Sequence, residues 1–181
     1  MEQTTTQTKS SQRMVQEYTS AATSINCSKV PAVFKKIWWS ANLINLDIGG
    51  GKFDTATNYL DSLGVRNLIY DPYNRSEAHN KQILAFLAEY GKVDSATLSN
   101  VLNVIKEPEV RRELLLFAQK HARKVFITVY AGNDSGISKA SKTGCWQENR
   151  KLTDYVQEVK TVFKFAVLTK GMIAAFDEET A

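Results

Sequence analysis

The chain has 181 residues, 43% of them hydrophobic and 23% charged, the size and balance of one ordinary globular domain. That balance excludes a disordered chain, a collagen-like fibre and a disulfide scaffold, and no run reaches the about 18 apolar residues of a membrane span. Twenty-three basic against nineteen acidic residues leave a net charge of +4, which permits an anionic partner without demanding one. The opening segment, MEQTTTQTKSSQRMVQEY, carries no apolar signal core. Cys27 and Cys145 match neither a metal-site spacing nor a Cys-x-x-Cys pair. Together these features predict a cytoplasmic protein with no membrane partner and no bound metal.

Residues 1–40 read as an N-terminal helical extension and 41–181 as the main domain. Within the extension, 13–22 suits a short helix. A second helix has Ser28 as its cap, Pro31 in its first turn, and Val33, Phe34 and Ile37 facing inward. From residue 43 the pattern changes. Strands over 43–46, 67–70, 96–100 and 124–130 alternate with helices over 54–63, 76–90 and 107–121. The inner helix faces carry Ala56, Tyr59 and Leu60, then Ile83, Leu84, Phe86 and Leu87, then Val110, Leu114, Leu115 and Ala118. Arg111, Arg112, Lys120, Arg123 and Lys124, interleaved with Glu107, Glu109 and Glu113, read as a solvated helix face. A long polar loop leads to a helix near 152–159. The chain closes with apolar segments over 163–168 and 172–176 around Lys170-Gly171.

Strand–helix alternation builds a parallel sheet with helices on both faces. A two-residue turn joins only antiparallel strands. The expected fold is therefore α/β, a mostly parallel sheet closed by a C-terminal antiparallel hairpin.

The first strand ends in Asp47-Ile48-Gly49-Gly50-Gly51 and runs directly into a helix. Glycines at 49 and 51 let the backbone turn sharply and let a ligand approach the main chain. Asp71 follows at the end of the next strand, outside the core, where a carboxylate can accept two hydrogen bonds from ribose hydroxyls. The dinucleotide fingerprint needs a third glycine where this chain has Asp54, whose charge opposes a pyrophosphate. No Gly-Lys-Ser/Thr phosphate loop is present. A ligand with a ribose and no phosphate fits, and S-adenosylmethionine is the common one.

At these residues the sequence resembles the class I S-adenosylmethionine-dependent methyltransferases. Asp47-x-Gly49-x-Gly51 matches their first motif, Asp71 their acidic residue after the second strand, and the closing hairpin their antiparallel strand. Phe53 stands where the motif's third glycine usually is. The resemblance covers residues 43–176 and implies a Rossmann-like methyltransferase fold. It implies a cofactor site built from Asp47, Gly49, Gly50, Gly51, Asp71, Pro72, Asn100 and Val101. The segment from Asn100 to Ile105, with Glu107-Pro108, resembles putative methyltransferases associated with DNA phosphorothioation. Asp71-Pro-Tyr-Asn-Arg-Ser76 resembles small phage and bacterial proteins.

Ligands in such sheets bind beyond the carboxyl ends of the strands, so the loops at 47–54, 71–76, 100–106 and 131–150 surround the expected site. Ser99 to Asn103 would line the transfer pocket. Tyr130, Trp146, Gln147 and Asn149 are the acceptor candidates, with Trp146 stacking on a ring and the two amides reading its polar edge. Trp146 as a structural plug and Tyr130 as core are the plain alternatives. Neither Asp-Pro-Pro-Tyr nor Pro-Cys is present, Cys145 reads as a plain thiol, and no catalytic residue is assigned. His79 and His121 read as surface or satisfied residues, and Arg75 and Asn80 as neighbours of the cofactor loop, with a solvated Arg75 as the plain alternative. Mild basicity and the Trp146 loop point to a nucleic-acid acceptor. A small-molecule methyltransferase and a non-catalytic S-adenosylmethionine-binding module stay open beside it.

Overall fold

A computed structural model of the chain describes residues 16–21, 23, 29–136, 138–142 and 144–178. The alternation expected from residue 43 onward becomes one six-stranded sheet. Strands β1 (Ile44–Ile48), β2 (Arg66–Tyr70), β3 (Val93–Ser99) and β4 (Ala122–Thr128) run parallel. A separate two-stranded ribbon, β5 (Lys139–Ala140) with β6 (Trp146–Gln147), was not visible in the sequence pattern. The closing strands are β7 (Phe165–Thr169) and β8 (Met172–Phe176); β8 pairs antiparallel with both β4 and β7, so it alone runs against the others, and the sheet order is β2-β1-β3-β4-β8-β7. Lys170 and Gly171, at φ 49° and 69°, form the turn between the last two strands, the left-handed geometry a two-residue hairpin requires.

Helices α1 (Ala32–Lys36) and α2 (Thr55–Asp61) cover one face of the sheet. Helices α3 (Glu77–Tyr90), α4 (Pro108–His121) and α5 (Val156–Lys160) cover the other. Each strand's period-2 alternation divides the core accordingly. Leu46, Ile48, Ala96, Leu98, Val125 and Ile127 pack with Leu87, Leu115, Ala118 and Val159. Phe34, Ala56, Leu60 and Met172 form the smaller cluster opposite. Helix α1 thus joins a core shared with β8, although it precedes residue 41. Ser76 caps α3 by accepting the His79 N–H, and Gly91 ends it. Among the described residues no helix is long and apolar enough to cross a membrane.

Three local expectations change. The described part of the 13–22 segment, residues 16–21, is irregular rather than helical. Its side chains bond to their own backbone instead, Gln16 to the Tyr18 carbonyl and Thr19 to the Ala21 N–H, and for the Thr and Ser residues this is the usual competition with a helix. Residues 13–15, 22 and 27–28, with Cys27 and the Ser28 cap, lie outside the described residues. Leu84 faces solvent, because the stripe that packs on β2 runs through Ile83, Phe86 and Leu87. Arg111 is not on a solvated face: it is 3% exposed. The loop after β4 brings Glu148 to it, and α5 brings Glu158.

Candidate cofactor and acceptor site

The four parallel strands end at the mouth of a cavity of about 1300 Å³. It is lined by the loops that the strand ends predicted. That volume exceeds the roughly 300–1,000 Å³ of ordinary small-molecule pockets.

The glycine turn is held from below and from the side. Gly49 and Gly51 have φ of 72° and 75°, which only glycine adopts without strain. A Cβ on Gly49 would lie 2.8 Å from Val101 Cγ2, and one on Gly50 would lie 2.5 Å from Asp47 Oδ2. Gly51 is pinned at both polar groups by the loop after β2. Its N–H donates to Asp71 Oδ2 at 2.8 Å, and its carbonyl accepts from Arg75 Nε at 2.7 Å. Arg75 also pairs with Asp54 at 2.8 Å. The two loops are therefore one unit, with an amide already committed where a dinucleotide turn presents free N–H groups to phosphate.

Asp71 is the centre of that unit. Its Oδ1 accepts the N–H groups of Tyr73 (2.9 Å) and Asn74 (3.0 Å), while Asn74 Nδ2 reaches both oxygens at 3.2 and 3.1 Å. Asn80 brackets its backbone, accepting the Asp71 N–H and donating to its carbonyl, both at 3.0 Å. Asp71 is 3% exposed. It is a buried loop anchor as well as a cavity-lining carboxylate, contrary to the strand-end position outside the core expected for it. The cause is the Asp71-Pro72-Tyr73-Asn74 turn, which folds its own amides back onto the carboxylate.

Asp47 sits beneath Gly50 on the α1/α2 face, 2% exposed, and accepts the Thr97 hydroxyl at 3.0 Å. It ends a polar ladder that crosses three strands. Ser95 donates to Asn45, Asn45 to Asn67 and Thr97, and Asn67 to Thr57. Burial, with the neighbouring Asp71 charge adding to it, pushes the Asp47 carboxyl up to about 7. The Thr97 and Asn67 hydrogen bonds and Arg75 oppose the shift. The folded protein thus keeps this proton to a higher pH than the unfolded chain. Its contribution to stability is complete below about pH 4 and is lost as pH rises through 7. Asp47→Asn is expected to be more stable than the parent at pH 8 by about 1–4 kcal/mol, and to differ little at pH 4. Denaturant melts of both proteins at the two pH values check this. An equal difference at both pH values would assign the effect to packing.

Of the expected cofactor residues, Asp47, Gly49–Gly51, Asp71, Pro72, Asn100 and Val101 all line the cavity, and Tyr70, Leu114 and Phe117 add an apolar wall. His79 bonds the Ile69 carbonyl at 2.8 Å, as a satisfied residue should. Of the acceptor candidates, Tyr130, Trp146 and Gln147 line the cavity, with Asn103 and the buried Cys145. Gln147 Nε2 donates to the Tyr130 carbonyl at 2.9 Å. Asn149 does not join them. It is 3% exposed and lies against Gly132, where an added Cβ would clash with its Oδ1. It is therefore placed as a brace within the loop. Trp146 is already covered: the Tyr18 ring lies 5.1 Å away, and Lys106 Nζ sits 5.3 and 5.4 Å from the two ring centroids. Glu17 anchors this N-terminal segment through Lys106 (2.5 Å) and the Glu107 carboxylate (3.0 Å to the Glu17 N–H). Nothing in the sequence spacing links residues 16–18 to 106 and 146.

No family model and no curated protein matches the sequence. Among solved structures the chain is similar to the 1,6-didemethyltoxoflavin-N1-methyltransferase of Burkholderia thailandensis, solved with 1,6-didemethyltoxoflavin and S-adenosylhomocysteine bound. The TM-score is 0.56 at 15% identity, over 75% of this chain and 71% of that one. A second is the N-terminal domain of EvdMO1 with S-adenosylhomocysteine bound, at TM-score 0.42 and 9% identity, over 74% and 72% of the two chains. The chain has a Rossmann-like methyltransferase fold. That is the fold the motifs and the closing hairpin implied.

Proposed function

We propose that the protein is an S-adenosylmethionine-dependent methyltransferase with a small-molecule acceptor. The observation that carries the cofactor half is the Asp71 carboxylate lining the cavity beside a glycine turn whose Gly51 amide is already taken. This donor set suits a ribose and offers no phosphate cradle. The residues that would hold the cofactor are Asp71 with Pro72 at the ribose, the Gly49–Gly51 backbone, and Asn100, Val101, Tyr70 and Phe117 around the base. S-adenosylmethionine, when bound, supplies a methyl group already activated by its sulfonium. The chain's own share is positioning and water exclusion, which account for much of the barrier in such a displacement.

The acceptor half rests on the N-terminal segment. Gln16, Ser20 and Thr23 line the cavity, and Tyr18 with Lys106 covers the ring of Trp146. This supports an acceptor small enough to lie beneath that segment. For a nucleic-acid strand, the acceptor expected from the sequence, the Trp146 face beneath Tyr18 is already taken. The neighbour from Burkholderia was solved with a small molecule bound, which is the class proposed here.

Calorimetric titration is expected to show saturable binding of S-adenosylmethionine and S-adenosylhomocysteine, with NAD silent. Binding of NAD alone overturns the cofactor assignment. Label from methyl-tritiated S-adenosylmethionine is expected in the small-molecule fraction of a cell extract. Label in DNA or RNA instead overturns the acceptor assignment.

A further inference from the structure

The Asp71 carboxylate is already full. An ionised carboxylate offers about four lone-pair sites. Three of them are taken by main-chain N–H groups, those of Gly51, Tyr73 and Asn74. These three donors belong to the turn and to its seam with the glycine loop, so they stay while those loops keep their shape. The two turn amides fill Oδ1, so the one acceptor site left over is on Oδ2, and there the Asn74 side-chain amide sits, 3.1 Å from Oδ2 and 3.2 Å from Oδ1. Both residues line the cavity. Asn74 is only half-buried, and unlike the backbone donors its amide can rotate away about two side-chain bonds.

The geometry points to Asn74 as a ribose latch, an internal donor that occupies the last acceptor site of Asp71, on Oδ2, and must swing aside before a ribose hydroxyl binds there. The inference rests on the cofactor reading above. The latch keeps a buried carboxylate satisfied when no ligand is present, since an unpartnered buried charge is costly. It also sets a specificity threshold. A ligand displaces the amide only if it returns a hydrogen bond of equal quality to the same oxygen, which a ribose hydroxyl does and a 2′,3′-dideoxyribose does not. Asn74 is thus a positioning residue that acts through Asp71. Its removal strengthens binding, because the competing state disappears and the binding-competent fraction rises.

The test is calorimetry on Asn74→Ala with two probes, S-adenosylhomocysteine and its 2′,3′-dideoxy analogue. The variant keeps the backbone N–H that Asp71 accepts. It is expected to bind S-adenosylhomocysteine about 5- to 20-fold more tightly than the parent, the return from deleting one hydrogen bond to a charged acceptor. The analogue, which does not contest that oxygen, should show no gain. Unchanged or weaker binding of S-adenosylhomocysteine overturns the latch, and so does an equal gain with both probes, which would mean a looser loop. A folded parent protein that binds neither probe defeats the cofactor reading itself, and the latch with it. A second measurement needs no variant. On titration of the parent with S-adenosylhomocysteine, the Asn74 side-chain ¹⁵N–¹H resonances should shift as the amide leaves the carboxylate. Resonances that stay in place at saturation overturn the proposal.

Discussion

Asp71→Ala is expected to lose cofactor binding and, with it, part of the unliganded fold. The binding loss should be about 100-fold or more, since a charged contact to ribose and the shape of two loops vanish together. The stability loss should be about 2–4 kcal/mol, mainly because the Gly51 N–H, in a buried residue, is left without its acceptor. For a chain of this size that corresponds to a melting temperature lower by about 5–15 °C. Asp71→Asn grades the two effects. Its single oxygen can accept the Tyr73 and Asn74 amides, but its NH2 then faces the Gly51 N–H, so it should recover only part of the stability and little of the affinity. A variant Asp71→Ala with parental melting temperature would show that the loop contacts contribute nothing, and parental affinity would take Asp71 out of the site.

The contrast between these outcomes marks what the sequence reveals here. The glycine turn, the carboxylate one strand later and the two-residue hairpin are local signals, because each depends on backbone geometry that nearby residues dictate. The residues of the glycine turn and the carboxylate all line the one cavity described above. The ribbon formed by β5 and β6 escaped because two-residue strands leave no periodic pattern. Asn45, Asp47, Asn67, Ser95 and Thr97 do alternate with apolar residues, and such alternation ordinarily marks a strand face turned to water. In the folded chain α1 and α2 cover that face, and the polar groups satisfy one another across strands that lie up to 52 residues apart. Only the tertiary pairing turns a solvated pattern into a buried ladder ending on Asp47. The Tyr18–Trp146 contact and the Arg111 cluster are of the same kind, since each joins segments whose spacing in sequence carries no signal.

Arg111 offers the sharpest test of that long-range layer, because its charge reads as surface and its position is core. Its Nε donates to Glu158 at 2.6 Å, and its Nη1 donates to the carbonyls of Ile105 (2.7 Å) and Lys106 (3.0 Å), with Glu148 at 3.4 Å. Arg150 completes the group, 3.4 Å from Glu158 and 3.7 Å from Glu148. One guanidinium therefore ties α4 to α5, to the loop that carries Lys106, and to the segment following Trp146. Arg111→Met keeps much of the volume and removes the charge and every donor. It should cost about 3–5 kcal/mol, the usual penalty for orphaning one side of a buried ion pair, and lower the melting temperature by about 10 °C or more. Arg111→Lys should rescue little, since one ammonium cannot reach acceptors spread around a planar fork. The decisive comparison is Arg111→Met combined with Glu148→Gln and Glu158→Gln. If the loss comes from uncompensated carboxylates, neutralising them restores most of the stability. If it comes from the carbonyls of Ile105 and Lys106 losing their donor, the triple variant stays as unstable as Arg111→Met, and the cluster then serves chiefly to hold the 105–106 loop beneath Trp146.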